Sequence, residues 1–564
     1  MNETSERKLD IQFTAYPQVN RLLNHLVAEV QDFTEAQLGL IRRLTQIGSA
    51  LSAERNLGKL LEMIIDEARE FTNADGGTLY IMSDDETELQ FAIVQNGTLD
   101  VRMGGTGDKI TWPAVPLRCP DGTENFSNVS AFVALTGQAV NIPDVYHAEG
   151  FNFEGTKKFD ERTGYRSKSM LVLPMRNHEN DIIGVLQLLN PRDPETGEMI
   201  PFSKESQEMT ESLASQAAVA LTNNRLIGDL EELLESFIRT IGSAIDEKSP
   251  YTGGHIRRVA ELTMDIAERI NAATEPPYGD YNLTADELRE LRLAAWLHDV
   301  GKITTPEHVV DKATKLQTIC DRIDLLKARV EIIKKNHIID VLRQQLGSDR
   351  AKESPSDGDY EDDFTRRLDE DLKFLETTNL GGEFLPDDKV KRLKELKETT
   401  YCFHGEEQPV LTEDECANLS IRRGTLNDEE REIINNHTVV TFKMLSQLPF
   451  PKKLKHVPEY AAAHHERLDG TGYPLGLKEN DIPIQARILA LADVFEALTA
   501  RDRPYTKGKT LQEALKIVGF MVKDRHIDGD IFDLFVREKI YTDYIRREAP
   551  HLLAELEGGE SGAS

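Results

Sequence analysis

A chain of 564 residues is too long for one hydrophobic core and should divide into three or four units at the usual domain size of roughly 100 to 200 residues. Its 98 acidic and 67 basic side chains give a formal charge of −31, which argues against a binder of polymeric nucleic acid, whose phosphates are met by Lys and Arg. No run of about 20 apolar residues is present to span a bilayer, and the first residues, MNETSERKLDIQF, have no basic, apolar leader, so a cytoplasmic protein is expected.

Residues 1–44 carry a helical pattern (Leu22, Leu26, Val30, then Ile41 and Leu44) and form a lead-in helix. From 45 to 225 short apolar runs (GGTLYIM, LQFAIVQNG, SMLVLPM, DIIGVLQLLN) are separated by turn signals and flanked by helices, predicting an α+β sensor-like module. Over 205–246 Leu213, Ala217, Leu221, Leu226, Leu230, Leu233, Phe237 and Ile241 make a near-heptad stripe, the pattern of a linker helix that pairs with a second copy or packs on its own domain. The stretch 247–550 reads as mainly helical. Within it, 317–421 is so rich in charge that it is expected to be an insertion of solvated helices around a flexible acidic loop near SPSDGDYEDD, without a core of its own. Residues 551–564 read as a disordered tail. Cys119, Cys320, Cys402 and Cys416 are too scattered for a disulfide framework or thiolate zinc site.

The anomaly lies in the C-terminal half, where five histidines and two aspartates stand in apolar helical contexts. His255 is in phase with Val259, Leu262, Ile266 and Ile270. His298, in phase with Leu291 and Ala294, is followed at once by Asp299. His437 shares a phase with Ile433, Val440 and Met444, His464 and His465 end a small-residue turn, and Asp493 has apolar neighbours on nearly every side. Burying so many ionisable groups costs several kcal/mol each unless divalent cations take them as ligands. The set suits two metals, with one bridging carboxylate and a metal-held hydroxide attacking phosphorus in line, while Lys302 is placed to put an ammonium beside the phosphate.

The HDVGK at 298–302 resembles the HD superfamily of metal-dependent phosphohydrolases, and HHERLDGTGYP at 464–474 resembles the signature of its HD-GYP branch. The resemblance implies hydrolysis of cyclic di-GMP to linear pGpG, in some members on to GMP. Two divalent metals are implied, iron or manganese first, with nickel, cobalt or zinc as other candidates. It makes His255, His298, Asp299, His437, His464, His465 and Asp493 the ligands, with Asp299 bridging and Lys302 by the scissile phosphate, and carries phosphate binding to Arg503 and Lys507. Tyr251 stands where members with a third metal carry glutamate. The family's exposed Tyr and Pro, here Tyr473 and Pro474, imply contact with diguanylate cyclase (GGDEF) domains. A catalytically silent cyclic-dinucleotide receptor, and an HD hydrolase of another phosphate ester such as cyclic GMP-AMP, remain as alternatives.

Residues 45–225, through FDERTGYRSKSMLVLPM and IIGVLQLLNP, resemble a GAF domain that regulates the enzyme through an unidentified small ligand. The residues around Asn190 and Phe202 depart from the pattern of GAF domains that bind cyclic nucleotides, and Cys119, His147 and His178 read as ordinary residues, not haem or redox handles. The expected architecture is a multidomain chain: an α+β GAF domain, a long linker helix that dimerises, and an all-α HD-GYP domain with a charged helical insertion.

Overall fold

The computed structural model describes residues 13–14, 16–248, 253–346, 362–500 and 508–552. Its two compact units are Met1–Glu232 and Leu233–Ser564. Arg503, Lys507, Tyr251, most of the acidic loop and the tail from 553 lie outside the described residues.

The first unit opens with α1 (Pro17–Ala53) and α2 (Leu57–Thr72), followed by β1 (Ala74–Met82), β2 (Glu88–Asn96), β3 (Val101–Gly104), β4 (Val115–Pro116), α3 (Val129–Thr136), β5 (Val140–Ile142), α4 (Glu154–Thr163), β6 (Met170–Arg176) and β7 (Ile182–Pro191). The strands form one antiparallel sheet in the order β3-β2-β1-β7-β6-β5, with β4 added beside β2. Because side chains alternate along a strand, β6 feeds two cores: Leu171 and Leu173 pack with Leu60 and Ile64 of α2, while Met170 and Val172 pack with Val129 and Val133 of α3. Asn190, the next-to-last residue of β7, is in the left-handed region (φ 52°) and fully buried. Its amide donates to Tyr165 Oη and the Arg166 carbonyl and accepts from the Lys168 and Ser169 amides, so this side chain is a structural tie.

Helix α5 (Lys204–Asp246) divides its apolar stripe into a buried and an exposed part. Leu213, Ala217 and Leu221 are buried in the core of their own domain, whereas Leu226, Leu230, Leu233, Phe237 and Ile241 are 43 to 64% exposed.

In the second unit α6 (His255–Ala272) and α7 (Ala285–Leu297) lead to the short α8 (Glu307–Val310). Next come α9 (Ile323–Leu346), α10 (Asp363–Asn379), α11 (Asp387–Lys397), the hairpin β8 (Thr400–Phe403)–β9 (Glu406–Pro409) and α12 (Glu413–Leu419). The chain then continues through α13 (Asp428–Asn435), α14 (His437–Leu445), α15 (Val457–Ala462), α16 (Ile484–Thr499), α17 (Leu511–Lys523), α18 (Gly529–Arg537) and α19 (Tyr541–Glu548). Helices α6, α7 and α16 to α19 enclose the main core, centred on Val259, Leu262, Leu291, Leu489, Phe495 and Phe535.

The insertion corrects one expectation, that it has no core. It carries a small hydrophobic core, in which Leu316, Leu326, Leu375, Leu385, Leu393, Leu411, Cys416 and Leu419 converge, and it adds the short β8–β9 hairpin to an otherwise helical unit. These leucines lie far apart in a charged sequence, which is why no local periodicity announced them. The base of the insertion is pinned shut: Lys312 Nζ donates to both Glu430 carboxylate oxygens at 2.7 Å, and buried Lys315 donates to the carbonyls of Leu419 and Ile421. Leu393→Ala, at a position with no exposure, should cost about 2–5 kcal/mol in the urea transition of the C-terminal unit. A surface excursion without a core would show no such loss.

Candidate metal centre

Six of the seven expected ligands sit where a helix begins, ends or turns. His255 opens α6, His298 caps the C-terminus of α7, and Asp299 enters the 3-10 turn Val300–Thr304. His437 opens α14, His464 and His465 lie in the 3-10 turn after α15, and Asp493 lies inside α16. Gly301 lets the turn approach α14, because any Cβ there would collide with the His437 carbonyl and the Thr441 amide. Thr441 Oγ1 then accepts from the Gly301 amide at 3.0 Å and donates to the His298 carbonyl at 3.1 Å, locking the two ligand segments together.

The structure brings all seven residues together. Asp299 is central: its Oδ2 lies 3.6 Å from His255 Nε2 and 3.3 Å from His298 Nε2, and its Oδ1 lies 3.3 Å from His437 Nε2. Asp493 Oδ1 is 3.4 Å from His255 Nε2. Donor atoms of His255, His298 and Asp493 form one set within 4.8 Å of one another, and those of His437, His464 and His465 form another. His298, His437 and His464 each donate Nδ1–H to the carbonyl three residues back (Ala295, Ile434 and Ala461, at 2.7, 2.6 and 2.6 Å), which turns an Nε2 lone pair inward. Those three Nε2 atoms and Asp299 Oδ1 are buried without a hydrogen-bond partner. Native proteins rarely leave such groups unpaired, and neutral imidazole with carboxylate is an ordinary ligand set for a transition-metal ion, so the residues fit the metals that the sequence implies.

Electrostatically the cluster has two ends. At the acidic end, burial works against protonation of His255 and is outweighed by Glu496, Asp299 and Asp493, so its proton affinity is raised. At the other end burial holds His464 well below its ordinary value and pushes His465 down to about 3, keeping both imidazoles neutral. Asp299 stays ionised: burial opposes this, but the Lys302 ammonium, 2.5 Å from Oδ2, and His298 outweigh it.

The sequence reading of His437 needs correction, because Ile433 and Met444 on its expected face are 43% and 36% exposed. Ile433 belongs to the preceding helix, across the break at Asn436, and within α14 the buried side is made by His437, Thr438, Thr441 and Leu445, which leaves Met444 at its rim. Tyr473 and Pro474 are half-buried, not exposed: Glu466 accepts the amides of Leu475, Gly476 and Leu477, folding the loop back so that the Tyr473 ring lies 4.9 Å from that of His465. Sequence reasoning missed Glu496, one turn beyond Asp493 in an apolar helix, and missed the end of α5. There Asp246 accepts the Ile256 amide beside His255, and Lys248 Nζ donates to the carbonyls of Lys302, Ile303 and Thr305.

The first unit holds a cavity of about 760 Å³, lined among others by Tyr80, Phe91, Trp112, Phe159, Arg102 and Gln187. Cys119, His147 and His178 are not among its lining residues. A groove of about 700 Å³ runs beside the Lys302 turn, bounded by Ile303, Thr305, His308 and Asp311 and by Gln317–Ile319 at the start of the insertion.

A GAF domain model matches residues 56–221, and HD domain models match residues 252–362 and 413–531. The chain is 41% identical over 131 residues to a cyclic di-GMP phosphodiesterase of Thermotoga maritima, the match covering 23% of this chain and 35% of that protein. It is 41% identical over 114 residues to 3'3'-cGAMP-specific phosphodiesterase 1 of Vibrio cholerae, covering 20% of this chain and 26% of the relative. A cyclic di-GMP phosphodiesterase of Pseudomonas aeruginosa is 37% identical over 114 residues, again covering 20% and 26%. The chain thus spans about a third or less of the length of these relatives. It combines a GAF domain with an HD domain. That HD domain is of the HD-GYP type, with HHERLDGTGYP at 464–474.

The buried neutral imidazoles set a pH dependence. His465 in the folded state resists protonation down to about 3, whereas the unfolded chain takes the proton near its ordinary 6.5. Its contribution to stability is therefore present above pH ~6.5 and lost as pH falls toward ~3. Urea midpoints of metal-free protein between pH 7 and 4 should fall more steeply for the wild type than for His465→Asn.

Proposed function

We propose that the C-terminal half is a metal-dependent phosphodiesterase that opens cyclic di-GMP to linear pGpG. The observation that carries this reading is the pair of ligand sets meeting at Asp299, with inward lone pairs left without partners. Two divalent ions, iron or manganese foremost, would supply an activated water and Lewis acidity at phosphorus. His255, His298 and Asp493 would hold one ion, His437, His464 and His465 the other, and Asp299 would bridge them. Lys302 offers an ammonium at the edge of the cluster for a phosphate oxygen, and the groove beside it has room for part of a dinucleotide. Arg503 and Lys507 are proposed phosphate contacts.

The substrate is drawn from the named activities of the relatives. Because one of these acts on 3'3'-cGAMP, cyclic GMP-AMP is the second reading. For the first unit we propose a small-molecule ligand in the aromatic cavity, which acts on the enzyme through the continuous α5. Helix α5 would pair with that of a second copy through Leu230, Leu233 and Phe237. Contact of the Tyr473–Pro474 loop with GGDEF-domain proteins remains a proposal, with exposed Leu475 as its apolar tip.

The purified chain, supplied with ferrous iron or manganese, should convert cyclic di-GMP to linear product. Asp299→Ala should lower turnover about a thousandfold or more, since loss of the shared ligand removes several kcal/mol of transition-state stabilisation. Tight binding without product under any metal would favour a receptor, and faster turnover of cyclic GMP-AMP would move the substrate assignment. In light scattering, Leu230→Glu combined with Phe237→Glu should convert a dimer to a monomer; an unchanged mass would sink the helix-pairing reading.

A further inference from the structure

Of the proposed ligand histidines, His298, His437 and His464 are backed at Nδ1 by backbone carbonyls. His255 is different. It is the first residue of α6, so no preceding helical turn offers it a carbonyl. Glu496 takes that place, with Oε2 2.5 Å from His255 Nδ1. Glu496 is 1% exposed and stands one turn beyond Asp493 on α16, so one helix sends one carboxylate to the face of the cluster and another behind it. Its second oxygen accepts from Arg258 Nε at 2.7 Å, and Arg258 is tied in turn to the Gly253 carbonyl at 2.9 Å.

A carboxylate is a stronger acceptor than a peptide carbonyl. It fixes the tautomer with a free Nε2 and makes that nitrogen a better donor to a cation, and loss of such a support ordinarily weakens metal binding about 10- to 100-fold. His298, His437 and His464 have a neutral carbonyl in that place. From this asymmetry we infer that Glu496 is a positioning residue for metal binding, which acts through His255 and makes the ion at His255, His298 and Asp493 the more tightly held of the two. The inference rests on the two-metal reading of the cluster and adds an order of affinity that the ligand list alone does not contain.

The test is metal retention by the full chain, read without activity. Wild-type protein loaded with Mn²⁺ is dialysed against graded chelator, bound manganese is counted per chain, and thermal unfolding of the metal-free form checks the fold. The wild type should lose its ions in two separate steps. In Glu496→Gln the tighter step should move about 10- to 100-fold toward the weaker one, while the weaker step stays in place. Glu496→Asp, which keeps the charge but withdraws it by one methylene, should fall between. This second variant also preserves the test if the amide variant does not fold. Equal weakening of both steps, or a tight step unchanged in both variants, overturns the inference. A wild type that retains no manganese overturns the two-metal reading beneath it, an outcome distinct from two steps that ignore Glu496.

Discussion

Five imidazoles and two carboxylates share a space almost closed to water, and much of the C-terminal unit is built around keeping them there. Charges and lone pairs in such a space repel or go unsatisfied unless each is aimed, and the aiming is done by helix ends. A helix terminus exposes backbone carbonyls or amides, and the chain uses those carbonyls to hold three of the rings by Nδ1. The close contact at Gly301, the Thr441 hydroxyl between two segments and the Glu496–Arg258 pair serve the same end. Removing one of these would leave the donor atoms present but no longer convergent.

The centre is also wired to the helix that enters it. Helix α5 ends with Asp246 on the first turn of α6 and with the Lys248 ammonium over the carbonyls of the turn that carries Lys302. These hydrogen bonds tie the end of α5 to the turn that carries His255 and to the turn that carries Lys302. The exposed stripe between Leu226 and Ile241 lies on the same helix.

How much of this was legible depended on whether the local period survived. His255 and His298 lie at the ends of unbroken helices, and their phase with Val259, Leu262, Leu291 and Ala294 correctly pointed inward. The phase of His437 misled on two counts: Ile433 lies across a helix break, and within α14 the buried side runs through Thr438, Thr441 and Leu445 and leaves Met444 at its rim. The core of the insertion was invisible because its leucines are brought together by tertiary folding between charged helices. Glu496 was passed over as a polar residue in an apolar helix, although a second carboxylate one turn from Asp493 was a readable sign. In the first unit the alternating strands were plain in the sequence, while the division of α5 into a buried and an exposed half depends on where its own domain ends.

The closed base of the insertion bears on how such a chain could arise. Lys312 and Lys315 on one side and Leu419, Ile421 and Glu430 on the other hold the entry and exit of the segment side by side. A segment whose ends meet can be acquired or discarded in descent without moving the helices it interrupts. The length of the insertion can therefore vary while the segments before and after it, with the seven converging residues, stay in place.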